Sequence, residues 1–152
     1  MYTSSLTALI LSSAFLCCAP RPPPIAKPAC DDGASCTRLA LAYEDGVGVD
    51  ADLSAAARYY QRGCDKGSAH SCGSLGVLRF YGHGVTADVQ LGLSLLERGC
   101  AGDYGQACSN LGVIYALGRG VTKDEARAAK YFAQGCARGS SLGCDGLAQL
   151  NK

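Results

Sequence analysis

Cys36, Cys72, Cys108 and Cys144 stand 36 residues apart, and so do Cys64, Cys100 and Cys136. No other feature constrains the fold as strongly. A fixed period of this length marks a stacked repeat architecture, in which each unit is too small to bury its own apolar face. The rest of the sequence keeps the same step. Leu39, Leu75, Leu111 and Leu147 align, as do Gly46, Gly82 and Gly118, Gly48, Gly84 and Gly120, and Asp52, Asp88 and Asp124.

Each unit reads as two helices. Helix A begins near the second Cys of a pair and runs about ten residues, with apolar positions such as Leu111, Ile114 and Tyr115 at helical spacing. The G-x-G-V segment then breaks the chain, because Gly tolerates the φ > 0 conformations of a tight turn. Helix B follows. Thr122 is the expected N-cap, with Glu125 completing a capping box, and Thr86 and Asp50 hold the cap elsewhere. The aligned Asp residues then fall in the first turn, at the positive end of the helix dipole. Small residues at Ala56, Gly92 and Ala128, and at Ala40, Gly76 and Gly112, are expected to let paired helices approach closely. The expected class is all-α, an α/α solenoid of about three and a half units. The expected repeats run over residues 34–69, 70–105 and 106–141, with a partial unit at 142–152 whose Leu147 and Leu150 cap the stack.

The cysteine pairs lie where units meet. Disulfides Cys64–Cys72, Cys100–Cys108 and Cys136–Cys144 would staple adjacent repeats, each worth about 2–3 kcal/mol in the chain-entropy model. The loop inside a staple is then free to vary. Cys30 and Cys36 are closer in sequence and are read as a fourth disulfide; the alternative leaves Cys30 free or paired with Cys17 or Cys18. Zinc is the competing use, but zinc pairs are usually two to four residues apart. Redox and haem motifs need C-x-x-C, which does not occur. No metal, cofactor or catalytic residue is therefore expected. His70 and His83 read as isolated surface residues, His70 in a loop.

Ten cysteines suit an oxidising compartment. Residues 1–19 read as an export leader. Their apolar core is too short for a membrane, which needs about 20 residues. Cys18, preceded by Cys17, is the better lipidation candidate, and residues 20–29 form a Pro-rich spacer before a repeat domain at 30–152. Removing the leader leaves an even set of eight Cys. The destination is then the periplasm, the outer membrane as a lipoprotein, or the medium. A formal net charge of +1 argues against nucleic acid or an anionic membrane recruited by bulk charge. Membrane attachment is expected only through lipid.

The third unit, "CSNLGVIYALGRGVTKDEARAAKYFAQGC", resembles the Sel1-like repeat, a relative of the tetratricopeptide repeat. With its Cys pairs the chain resembles the Helicobacter cysteine-rich protein family. The resemblance implies a right-handed superhelix with helix A on the concave face, and a monomeric adaptor for a peptide or protein. Groove candidates on helix A are Arg38, Leu41 and Glu44; Ser74, Val77, Phe80 and Tyr81; Asn110, Val113 and Leu117. Asn110 resembles a side-chain clamp for a peptide backbone or carboxylate, although Arg38 and Ser74 occupy its place in the other units. The plainer reading makes these solvated or packing positions. The resemblance also raises a penicillin-binding or slow β-lactamase activity. The usual serine enzyme needs S-x-x-K, and no Ser here has a Lys three residues on.

Overall fold

The computed structural model describes residues 29–150. The leader, the Cys18 lipidation site and all but the last residue of the spacer lie outside the described residues. Seven helices follow in order: α1 (Gly33–Asp45), α2 (Leu53–Asp65), α3 (Ala69–Tyr81), α4 (Val89–Ala101), α5 (Gly105–Leu117), α6 (Glu125–Ala137) and α7 (Ser141–Leu150). The odd-numbered helices are A helices and the even-numbered are B helices. The A helices α1, α3 and α5 each pack on the B helix that follows, α7 packs on α6 before it, and successive A helices also touch. Helical pairs stacked in chain order in this way make the chain an α/α solenoid.

The turn between A and B is built the same way three times. Gly46, Gly82 and Gly118 end α1, α3 and α5 in the left-handed region, at φ 70°, 75° and 65°, where a Cβ would cost about 1 kcal/mol or more. The loop then closes on itself. The N–H of Asp52 donates to the Tyr43 carbonyl at 2.8 Å, Asp88 to Arg79 at 2.7 Å and Asp124 to Tyr115 at 2.9 Å.

The helix starts differ from expectation. Asp52, Asp88 and Asp124 are the N-caps of α2, α4 and α6; each carboxylate accepts the N–H three residues on, from Ala55, Leu91 and Arg127, at 2.9 Å. Asp50, Thr86 and Thr122 lie before the caps, and Glu125 pairs instead with Lys123 at 2.7 Å. The reason is the closing bond just described. It holds each Asp in extended backbone against the preceding A helix, so a carboxylate is already placed to cap. The A helices also start three residues before the second Cys of each pair.

Small residues set the spacing within each pair. A Cβ on Gly76 would meet the Leu96 nitrogen at 2.8 Å and the Gly92 carbonyl at 2.9 Å, and one on Gly92 would meet Phe80 at 2.8 Å. Two apolar clusters share the interior. The first surrounds Tyr60, Leu75 and Leu78; the second surrounds Leu96, Leu111, Ile114 and Phe132. Leu147 and Leu150 of α7 pack on the second cluster and cover its end.

Disulfides join Cys30–Cys36, Cys64–Cys72, Cys100–Cys108 and Cys136–Cys144, with Cα separations of 4.8, 4.6, 4.7 and 4.6 Å. The last three tie the end of a B helix to the start of the next A helix. Such pairs belong to an oxidising, extracytoplasmic environment. Among the described residues no helix is long and apolar enough to cross a membrane.

Candidate functional site

Beside the first and third of the inter-unit staples a small polar joint locks one unit to the next. At the first joint the Thr37 hydroxyl shares hydrogen bonds with Ser68 at 2.9 Å and Ser71 at 2.6 Å. At the third, Ser109 donates to Ser140 at 2.8 Å. Ser68 also caps α3, accepting the Ser71 N–H at 3.2 Å.

The middle joint breaks this pattern. Where the others read Gly67-Ser68 and Gly139-Ser140, it reads Asp103-Tyr104. Asp103 has φ 68° and is the one described non-glycine residue with positive φ, a position where its counterparts are Gly. Tyr104 sits at the N-cap of α5 and makes no side-chain capping bond. Its ring turns onto Gly73, which stands where the other joints carry Thr37 and Ser109. A Cβ on Gly73 would come within 2.6 Å of that ring. The unit thus gives up a cap, worth about 1 kcal/mol, and holds an Asp in the left-handed region. Both departures place one aromatic ring against Gly73, beside the residues of α1, α3 and α5 that line a common cleft. Departures from local rules of this kind cluster at functional positions.

The ring borders a small open cleft of about 100 Å³ between α1, α3 and α5. Glu44 enters from the end of α1, Ser74, Val77 and Leu78 from α3, and Asn110 from α5. His70 stacks on Tyr104, ring centroids 4.5 Å apart, and faces Tyr60 at 6.5 Å. The Tyr60 hydroxyl, otherwise buried, donates to the Glu44 carboxylate. Gln106 donates to Asn110 Oδ1 at 3.4 Å.

The electrostatics converge on one carboxylate. Burial raises the Tyr104 phenol, the neighbouring Ser74 hydroxyl pulls it back, and Glu44 raises it further. Burial and the Glu44 contact push Tyr60 far above its ordinary value. Burial lowers the His70 imidazole, against the pull of Glu44. Both phenols therefore stay neutral, and His70 favours its neutral form.

Of the expected groove residues, Ser74, Val77, Asn110 and Glu44 share this cleft. Arg38 does not; it is exposed beside Leu41, Asp45 and Val47 in a separate depression. Val113 packs against the second core cluster, and Phe80 is buried there. Leu117 is exposed, and Tyr81 is exposed with its ring on His83, centroids 5.6 Å apart. His70 is not a loop residue: it lies in the first turn of α3, half-buried between two tyrosine rings, because the helix starts before the cysteine. Tyr104 was missed by motif reasoning. The break in the Gly-Ser pattern at 103–104 was the signal that could have found it. Among the described residues no cluster of His, Cys, Asp or Glu is arranged to hold a metal.

The Sel1 repeat family model matches residues 33–68, 69–104 and 105–140. No curated protein matches the sequence. Among solved structures, a Sel1 repeat protein from Oxalobacter formigenes is similar with a TM-score of 0.69 at 17% identity, covering 78% of this chain and 47% of that one. A protective antigen of uropathogenic Escherichia coli displaying an SLR fold gives 0.70 at 24% identity, covering 78% of this chain and 25% of that one. Cysteine rich protein B of Helicobacter pylori gives 0.62 at 23% identity, covering 74% and 86%. The chain thus spans less than half of the first structure and a quarter of the second. At these identities the likeness is one of fold.

Proposed function

The chain belongs to the Sel1 repeat family, whose repeats mediate protein–protein contacts, and from that premise we propose that it is an exported, non-enzymatic scaffold binding a polypeptide segment in the cleft between α1, α3 and α5. Residues 1–19 direct export, Cys18 is the lipidation site if the leader is of the lipoprotein kind, and residues 30–152 act as one monomeric domain. The observation that carries the reading is the Asp103-Tyr104 departure. The middle joint replaces the Gly-Ser of the other two with Asp-Tyr, and the displaced ring borders the cleft holding Ser74 and Asn110. A cleft of about 100 Å³ has room for a single side chain, which favours a partner that engages by a peptide segment over one that engages by a broad domain face.

The test is selection of peptides from a displayed random library on the oxidised protein. Selected peptides should lose at least about tenfold in affinity on Tyr104→Ser or Asn110→Ala. Leu117→Ser, on an exposed residue outside the cleft, should change nothing. Peptides that bind all three variants like the wild type would overturn the reading.

A further inference from the structure

We infer that the group recognised in this cleft is a cationic side chain of the partner polypeptide, an arginine in preference to a lysine. The inference rests on the reading of the cleft as a peptide site and names the chemistry that would fill it.

Glu44 is the one charged residue that lines the cleft. Its carboxylate accepts a hydrogen bond from Tyr60, and among the described residues no cation pairs with it: the ion pairs there are Lys123–Glu125, Arg127–Asp124 and Arg138–Asp103. The basic side chain closest in sequence on the same helix is Arg38. Its charge is felt at Asp32, at the opposite end of α1. The negative charge of Glu44 is felt instead by Tyr60, His70 and Tyr104, the three rings around the cleft.

The other polar groups also suit a donor-rich ligand. Asn110 and Ser74 line the same space, and the Tyr104 hydroxyl lies beside that of Ser74. A carboxylate, a side-chain amide, hydroxyls able to accept and an aromatic ring form a pocket with one negative charge and no cation among its lining groups. A guanidinium brings five N–H donors in a plane and stacks on a phenol ring, and an ammonium brings three without the plane. Cations over tyrosine rings gain further when partly desolvated. An anionic ligand would meet Glu44 with no basic residue among the lining groups to offset it.

The experiment is an NMR titration of the oxidised, full-length protein with three capped tripeptides: Ala-Arg-Ala, its citrulline counterpart, and Ala-Glu-Ala. Citrulline keeps the shape of arginine and removes the charge. The arginine peptide should shift the Glu44, Ser74, Tyr104 and Asn110 resonances saturably, and the citrulline peptide should bind at least about tenfold more weakly. Glu44→Gln keeps an acceptor for the Tyr60 hydroxyl, so the fold is retained. In that variant the preference for arginine should vanish. Equal binding of arginine and citrulline, or preferential binding of the glutamate peptide at these resonances, overturns the cation assignment and leaves the peptide site standing. No shift with any tripeptide overturns the assignment, and failure of library peptides to depend on Tyr104 or Asn110 overturns the peptide site itself.

Discussion

The sharpest consequence of a sacrificed cap concerns the double substitution Asp103→Gly/Tyr104→Ser, which writes the Gly-Ser joint of the other two junctions into the middle one. If Tyr104 exists for the cleft, removing it should cost little stability. Serine restores an N-cap on α5, worth about 1 kcal/mol. Glycine removes the left-handed strain at Asp103, about 1 kcal/mol, and gives up the contact to Arg138 at 2.9 Å. That contact is carried by a carboxylate 85% exposed, so it is worth less than about 1 kcal/mol. Against these gains stands the half-buried Tyr104 ring. Burying a whole apolar side chain is worth about 1.5–3 kcal/mol, so half of that burial is worth about 1 kcal/mol. The terms nearly cancel, and the variant should lie within about 1 kcal/mol of the wild type, or a shift in Tm of about 4 °C. Urea unfolding followed by circular dichroism, with the disulfides intact, measures this. Affinity for cleft-directed peptides should fall in the same variant. A loss of about 3 kcal/mol or more would put Tyr104 among the core residues, and the argument from local departures would fail.

Other consequences follow from the same geometry. Leu111→Ala, at a position with no exposed surface, should lose about 2–5 kcal/mol in urea unfolding; a loss below about 1 kcal/mol would mean the second cluster does not hold the stack. Gly76→Ala should cost about 1–3 kcal/mol, because its Cβ meets the α4 backbone at Leu96 and Gly92 as well as the Leu96 side chain, and the backbone cannot swing aside; a neutral effect would show that the α3–α4 spacing is soft. Limited reduction followed by alkylation and mass mapping should label Cys136 and Cys144 first, since Cys144 is exposed while Cys64, Cys72, Cys100 and Cys108 are buried; simultaneous labelling of all pairs would point to global unfolding. Burial holds the His70 imidazole below its ordinary value of 6.5, so the unfolded chain takes up that proton first. The contribution to stability is complete above pH 6.5 and declines as pH falls toward the folded value. Wild type should therefore weaken more steeply than His70→Phe between pH 7 and 5, and parallel profiles would count against a buried, neutral His70.

The repeat was legible because it is a one-dimensional property. Period, glycine turns and cysteine spacing are fixed along the chain, and a solenoid stacks its units in chain order. Helix boundaries were legible only to within a few residues. Asp124 and Thr122 are both plausible caps in sequence. The bond from the Asp124 N–H to the Tyr115 carbonyl selects the first, and it forms only when helix A lies alongside. His70 read as a loop residue for the same reason.

The site divides in the same way. Ser74 and Asn110 could be picked out from their shared place on helix A, yet Arg38 at that place in the first unit points elsewhere. Superhelical curvature and neighbouring side chains decide which equivalent positions converge, and the period carries neither. The sequence by itself determined the architecture, the number of units and the residues available for stapling, because each depends on spacing along the chain. Only the tertiary structure decided that Glu44, Tyr60, His70 and Tyr104 meet. Their approach depends on helices from three successive units, on Gly73 making room for the Tyr104 ring, and on a carboxylate that no cation among the described residues pairs with.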